Sequence, residues 1–279
     1  MDPLHPHTES ISFVSFGVGI KVEANRSAHL NWIQSRLDSL LAGHVELIEG
    51  RPVERQFLVH AGEDGSVSLF LDGEELGRTP SEANALQYLA ARIKLAVGES
   101  TRSHVIVHAG VVGLGEKAIV LPAHSFQGKT TLVRELVARG AVYYSDDLAI
   151  FDQRGLVYPF AKTLSLRGIA NEYEQVEHTV ESLGGVTGEA PLPVGLVLFT
   201  SFAQGAEWQP REISPGQALL KLVEHTQNVR TNPLAAMEAL SKVVNGGAIL
   251  WESKRRDARE VADDVLKRIQ PVAFGTARC

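Results

Sequence analysis

The stretch that most constrains this chain is residues 121–152, LPAHSFQGKTTLVRELVARGAVYYSDDLAIFD. The apolar run KAIVL just before it reads as a strand, Ala123 to Gly128 form a loop, and TTLVRELVARG has the spacing of an amphipathic helix. Gly128, Lys129 and Thr130 stand at the junction. That tripeptide is common enough to arise by chance, so its meaning comes from the strand, loop and helix around it. A phosphate cradle needs a strand, a tight loop whose N–H groups curl round phosphate oxygens, a lysine, a hydroxyl residue for magnesium, and a helix whose N-terminal dipole faces the anion. All five are present in order. On this reading Ala123, His124, Ser125, Phe126, Gln127, Gly128, Lys129, Thr130 and Thr131 bind a nucleotide. Lys129 is placed for the β- and γ-phosphates and Thr130 for Mg2+. Ala123 stands where glycine is usual, and a methyl group is tolerated there if φ stays negative.

The helix closes on Arg139-Gly140, and AVYYSDD reads as an apolar strand ending on Asp146 and Asp147. Adjacent carboxylates repel unless a cation or a proton resolves them, and a magnesium–phosphate centre would do so. A solvated turn is the plain alternative, since Asp is a common turn residue. One helix and one strand separate Lys129 from Asp146. That βαβ spacing predicts a second strand returning beside the first and favours the site over the turn.

With 279 residues, 44% hydrophobic and 22% charged, the chain can bury one large core or two modest ones, which excludes disordered and fibrous classes. A net charge of -6 argues against a broad nucleic-acid or anionic-membrane surface. The first ten residues, MDPLHPHTES, lack the basic and apolar regions of a secretion signal, and no apolar stretch is long enough to span a bilayer. A cytoplasmic protein is expected, with neither nucleic acid nor membrane as partner. The lone cysteine, Cys279, allows no disulfide frame and no thiolate metal cluster.

Residues 1–100 read as a small N-terminal α/β unit. SISFVSFGVGIKVE alternates like one strand, SAHLNWIQSRLDSLLAG like one helix stopping at Gly43, RQFLVHAG and SVSLFLDG like two strands, and SEANALQYLAARIKLAVG like a helix with Ser81 as N-cap. No flexible linker follows, so this unit is expected to pack on the rest and to recognise an acceptor or complete a homo-oligomer. Residues 101–279 read as the second domain. HVIVHAGVVGLGEKAIVLPA is a hairpin feeding the loop; strands follow at LAIFD, LVYPF, VGLVLFTS and AILWE, and helices at GQALLKLVEHT, LAAMEALSKVV and REVADDVLKRI. GLGEKA formally fits the dinucleotide pattern G-x-G-x-x-A but lies within the hairpin rather than between strand and helix, which argues against it. In HTQNVR, His225 and Arg230 follow a helix, where a cation-favouring C-terminus explains them as well as a nearby nucleotide does. ESKRRDAR reads as a solvated basic face at a helix start.

His108, Ser125, Gly128-Lys129-Thr130, Arg139-Gly140 and Asp146-Asp147 fall without a gap at the spacing of the HPr kinase/phosphorylase family, which this stretch resembles. That family's catalytic domain shares its loop architecture with phosphoenolpyruvate carboxykinase. The likeness is clear over about residues 104–170 and fades on either side. It implies an α/β fold with a P-loop catalytic domain beside the smaller N-terminal unit, and transfer of the γ-phosphoryl group of ATP, with Mg2+, to a Ser or Thr hydroxyl of a protein or precursor peptide. Carried over by position, Lys129 and the loop amides hold phosphates, Thr130 and Asp146 hold the metal, and Asp147 is the general base, although the sequence does not separate it from Asp146. His108 matches a histidine near the reacting phosphate, with a core histidine as the plain alternative. Arg167, in LSLRG, matches a stretch that neutralises transition-state charge, with a surface arginine as its alternative. Phe126 replaces the second loop glycine, and the loop tied to the family's reverse reaction is not seen, so only the forward reaction is expected. A carboxykinase-like enzyme and a non-catalytic nucleotide-binding scaffold are the rival readings.

Overall fold

A computed structural model describes residues 8–124, 127–162, 164–167 and 175–269. The chain divides into two compact units. One runs up to His104 and takes in Arg230–Pro233; the other comprises Val105–Val229 and Leu234 onward.

The first unit contains β1 (Glu9–Ser15), β2 (Val18–Ala24), α1 (Ser27–Gln34), α2 (Leu37–Leu40), β3 (Glu46–Leu47), β4 (Arg55–Ala61), β5 (Val67–Leu71), β6 (Glu74–Thr79) and α3 (Glu82–Ser100). Its six strands form one sheet in the order β3-β1-β2-β4-β5-β6. The segment expected as a single strand is a hairpin. Phe16 (φ 47) and Gly17 (φ 76) both turn left-handed, the two-residue geometry whose twist suits paired strands, and Ser15 pairs with Val18 across it. A bulky Phe at positive φ gives no local signal of a turn. The expected single helix likewise breaks into α1 and α2, with Ser35 donating from Oγ to the Trp32 carbonyl at 2.8 Å. Ser81 caps α3 by accepting from Asn84 N–H at 3.3 Å. Edge strand β6, mostly exposed, carries too few apolar residues to be read from its sequence. Phe13, Ile20, Ile33, Phe57, Leu69, Leu89 and Ile93 lie at the centre of this unit's core.

The second unit contains β7 (Val105–Leu114), β8 (Lys117–Pro122), α4 (Lys129–Val137), β9 (Val142–Ser145), β10 (Leu148–Phe151), β11 (Val157–Tyr158), β12 (Leu164–Arg167), β13 (Gln175–His178), β14 (Val194–Phe202), β15 (Arg211–Glu212), α5 (Pro215–Glu224), α6 (Pro233–Asn245), β16 (Ile249–Arg255) and α7 (Ala258–Ile269). The main sheet runs β11-β10-β7-β8-β14-β16-β15, with β9 also paired to β7. Strands β8, β14 and β16 are mutually parallel, so their carboxyl ends open on one edge.

That parallel core explains the near-continuous apolar runs KAIVL and VGLVLF, because helices cover both faces. On one face Ile119, Leu121, Leu196 and Leu198 pack with α4 and α7; on the other Val120, Val197 and Phe199 pack with α5 and α6. In α4, Leu132, Val133, Leu136 and Val137 are buried. At about 1.5–3 kcal/mol per fully buried aliphatic side chain, they anchor the helix well enough to hold its N-terminus against a polar loop. α5 opens on a capping box between Ser214 and Gln217 with Pro215 at its first turn, which fixes where that helix begins.

One expectation about topology is corrected. The strand after α4 does not return beside β8: β9 pairs antiparallel with β7, and β7 lies between the two. The hairpin partner already occupies the edge of β8 that a simple βαβ return would fill. No helix among the described residues is long and apolar enough to cross a membrane.

Candidate active site

The inserted strand β7 is what assembles the site. Its His108 lies opposite Leu148 of β10, and its carbonyl accepts from Ala123 N–H at 3.4 Å. His108 therefore sits between the loop that follows β8 and the Asp146-Asp147 turn that follows β9. Two residues on, Gly110 keeps the space under α4 clear: a Cβ there would lie 2.6 Å from Val133 Cγ2 and 3.2 Å from Lys129 Cγ. This close approach lets Lys129 Nζ donate to His108 Nε2 at 3.0 Å and to the Ala123 carbonyl at 3.2 Å.

At the loop, Gly128 adopts φ 79, ψ 22 and caps α4 without a side-chain hydrogen bond. Ala123 is not among the residues with positive φ, so the condition for a methyl group in place of glycine is met. His124 N–H donates to Gln127 Oε1 at 3.1 Å, an internal tie across the loop. Ser125 and Phe126 lie outside the described residues. Thr131 is exposed and borders a cavity of about 300 Å³ with Gly128, Phe202, Arg255, Asp257 and Ala258.

The two aspartates play different structural parts. Thr130 donates to Asp146 Oδ2 at 3.1 Å, and the buried Tyr143 hydroxyl donates to Asp146 Oδ1 at 3.1 Å. Burial, with Asp146 beside it, pushes the Tyr143 hydroxyl pKa well up, so it remains a donor at any physiological pH. Asp146 is 5% exposed and engaged on both oxygens. Asp147 is the more open of the pair, its side chain 21% exposed, with Oδ1 3.5 Å from His108 Nε2. The turn that presents both is fixed by Ser145, whose fully buried Oγ accepts from Asp147 N–H at 3.2 Å and Leu148 N–H at 3.0 Å.

Lys162 was not singled out from the sequence. Its Nζ lies 3.3 Å from Asp147 Oδ2 and 4.0 Å from Asp146 Oδ1. The carboxylate pair is thus offset by a cation of the chain itself, so like-charge repulsion alone does not demand a metal there. No sequence pattern marks this lysine, because only the fold carries it to the turn.

One other expectation changes. Lys254 and Arg255 do not belong to a solvated helix start: they end β16, and Arg255 is 2% exposed, donating from Nη2 to the Gly128 carbonyl at 2.7 Å. His225, at the end of α5, sets its ring 4.4 Å from that of His124, tilted by 51°. Burial, then the positive charges of His124, His108, Lys129 and Lys221, lower its pKa to about 4. Arg230, by contrast, falls in the first unit. The side chain of Arg167 lies outside the described residues, although its backbone pairs in β12 with β13. GLGEKA forms the β7–β8 hairpin turn, which leaves no helix for a dinucleotide site.

His124, Gln127 and His225 also line a cleft of about 530 Å³, together with Thr200 and Ser201 of β14, Lys221 of α5 and Glu252 of β16. It opens at the carboxyl ends of the parallel strands, where open α/β sheets bind ligands. Among the described residues no group of three or more His, Cys, Asp or Glu is arranged to hold a metal. A metal here would rest on Thr130 and Asp146 and take its remaining ligands from phosphate and water. That donor set suits magnesium, which keeps several waters and binds through one or two carboxylates.

No protein-family model matches the chain, and no curated protein matches it. Among solved structures the chain is similar to the HPr(Ser) kinase/phosphatase from Coxiella burnetii, at 12% identity over 58% of this chain and 93% of that chain, with a TM-score of 0.33. That distant likeness leaves function to the geometry of the site.

Proposed function

We propose that this protein is a phosphotransferase that moves the γ-phosphoryl group of ATP, with Mg2+, onto a Ser or Thr hydroxyl of a protein or peptide. The observation that carries the reading is the convergence of Lys129, His108 and Asp147 at the mouth of a strand–loop–helix cradle. Phosphoryl transfer asks a protein for charge neutralisation, in-line positioning and a carboxylate to take the hydroxyl proton, with little covalent chemistry.

Each requirement has a residue. The loop amides and the α4 N-terminus orient phosphate oxygens, and Lys129 supplies positive charge to them. Thr130 and Asp146, already 3.1 Å apart, hold the metal, which when bound neutralises charge on the phosphate oxygens. Asp146, with both oxygens engaged and little exposure, suits that role. Asp147, more exposed, suits the base that accepts the proton of the incoming hydroxyl. His108, accepting from Lys129, holds the lysine in place until phosphate takes over its hydrogen bond. The polar cleft beside His124 and His225 gives a peptide acceptor room to approach.

The experiment is a nucleotide assay with candidate acceptor proteins and peptides. One ADP per phosphomonoester formed on Ser or Thr is expected, with no turnover in Lys129→Ala. Absence of triphosphate binding by the intact protein would overturn the reading, and CO2 release from oxaloacetate would move it to carboxykinase chemistry.

A further inference from the structure

The phosphate loop is held from outside by two strand ends. Phe202, the last residue of β14, donates its backbone N–H to the Gln127 carbonyl at 3.2 Å, and Arg255, the last residue of β16, donates from Nη2 to the Gly128 carbonyl at 2.7 Å. The Gln127 carbonyl is therefore turned toward β14, while the Gly128 carbonyl is shared between Arg255 and the first helical bond of α4, from Leu132 N–H at 3.2 Å. A trans peptide sets its N–H opposite its C=O, so the amides of Gly128 and Lys129 face away from those strand ends. Consecutive amides aimed into one concavity form an anion-binding nest.

Arg255 is an expensive way to make such a contact. It is 2% exposed, and its other hydrogen bond goes to the Arg256 carbonyl at 3.1 Å. Its Nε is buried without a partner, and none of the ion pairs among the described residues includes it. Guanidinium stays charged in proteins, and burial disfavours that charge more than the nearby Asp257 carboxylate, which makes no ion pair with it, favours it. A purely space-filling role would be served better by an apolar side chain of the same length. Gly128 is fitted to this neighbour, since a Cβ there would lie 2.7 Å from Arg255 Nη2.

We infer that Arg255 is a positioning residue: its guanidinium fixes the Gly128–Lys129 peptide so that the loop amides are aimed at phosphate before nucleotide arrives. The inference rests on the reading of this loop as a phosphate cradle. Arg255 touches the loop from the side opposite its concavity and acts through the peptide plane. A donor role and a packing role respond differently to substitution, because lysine keeps a donor for the carbonyl whereas methionine keeps only the volume.

The test compares Arg255→Met, Arg255→Lys and the neighbouring Arg256→Gln, whose side chain is exposed and pairs with Glu260 at 3.1 Å. Two quantities are read: calorimetric affinity for MgADP, and hydrogen exchange of amides 127–132 in the nucleotide-free protein. Arg255→Met is expected to weaken MgADP at least tenfold and to speed loop exchange, Arg255→Lys to recover most of both, and Arg256→Gln to match wild type. Wild-type affinity and wild-type loop exchange in Arg255→Met overturn the inference. If wild type binds no nucleotide, the cradle reading fails, while loop exchange still reports by itself whether Arg255 holds the peptide. Should Arg255→Met not fold, the wild-type guanidinium signals decide by NMR: Nη protons protected and shifted by MgADP support the inference, and signals indifferent to MgADP overturn it.

Discussion

Lys162 Nζ stands 3.3 Å from Asp147 Oδ2 and 4.0 Å from Asp146 Oδ1, so one ammonium is shared across the carboxylate pair. The side chains are partly to largely buried, which keeps water from screening the repulsion that would otherwise separate the aspartates. The same ammonium stands close to where a metal would bind. It therefore acts as an internal substitute for part of the cation charge.

Replacing Lys162 by Met should expose that role. Without magnesium the two carboxylates then lack the ammonium they share, and a loss of about 1 kcal/mol, or roughly 2–4 °C in melting temperature, is expected. Millimolar Mg2+ should restore more stability to the variant than to wild type. Thermal melts with and without Mg2+ check this; an equal deficit in both conditions would show that Lys162 does not offset the pair.

Acid should weaken the second unit through His225. Its folded pKa is lowered to about 4 from an ordinary 6.5, chiefly by burial. Below pH 6.5 the unfolded chain takes up a proton that the folded ring refuses until about pH 4, so stability falls as pH drops through that window and is retained above it. The full shift corresponds to about 3 kcal/mol, and partial exposure of the ring reduces this to about half. His225→Gln should flatten the decline between pH 6.5 and 4.5 in denaturant titrations. A variant as acid-sensitive as wild type would assign that decline to other groups.

Gly128→Ala and Gly140→Ala separate backbone strain from crowding. Both glycines have positive φ, 79 and 94, and a left-handed alanine costs about 1–2 kcal/mol. Nothing lies within 4 Å of a Cβ at Gly140, whereas at Gly128 the Arg255 guanidinium is 2.7 Å away and is itself held by a hydrogen bond. Gly128→Ala should therefore be the more destabilised of the two in chemical denaturation and should lose nucleotide binding. Equal losses of stability would mean that Arg255 yields freely.

Much of this architecture could be read locally. Ser81 before α3, the Ser214…Gln217 box before α5 and the unbroken apolar runs of β8 and β14 each declare their element within a few residues. The strand–loop–helix around Lys129 was legible for the same reason. What escaped reading depends on distant register. β7 had to be known to intervene between β8 and β9 before His108 could be set beside Lys129, and Lys162 and Arg255 reach the site from segments that look like ordinary loop and basic surface. Phe16-Gly17 hid a turn because the alternation on either side gave no sign of interruption. Polar groups that act through long-range contact leave no periodicity behind.

The most decisive variant is Asp147→Asn. Asp146 is engaged by Thr130 and Tyr143 and little exposed, so of the two carboxylates Asp147 is the one an acceptor hydroxyl can reach. Asparagine keeps its shape while removing the proton acceptor and one negative charge. Of the two carboxylates Lys162 then faces the charge of Asp146, at 4.0 Å, which leaves the cradle more positive and should hold nucleotide at least as tightly as before. Turnover should nonetheless fall by roughly a hundredfold or more, the usual worth of general-base catalysis. Calorimetry with MgADP and a single-turnover assay with saturating acceptor separate the two effects. Retained affinity with lost transfer assigns the proton to Asp147, and transfer at the wild-type rate would remove this residue from the mechanism.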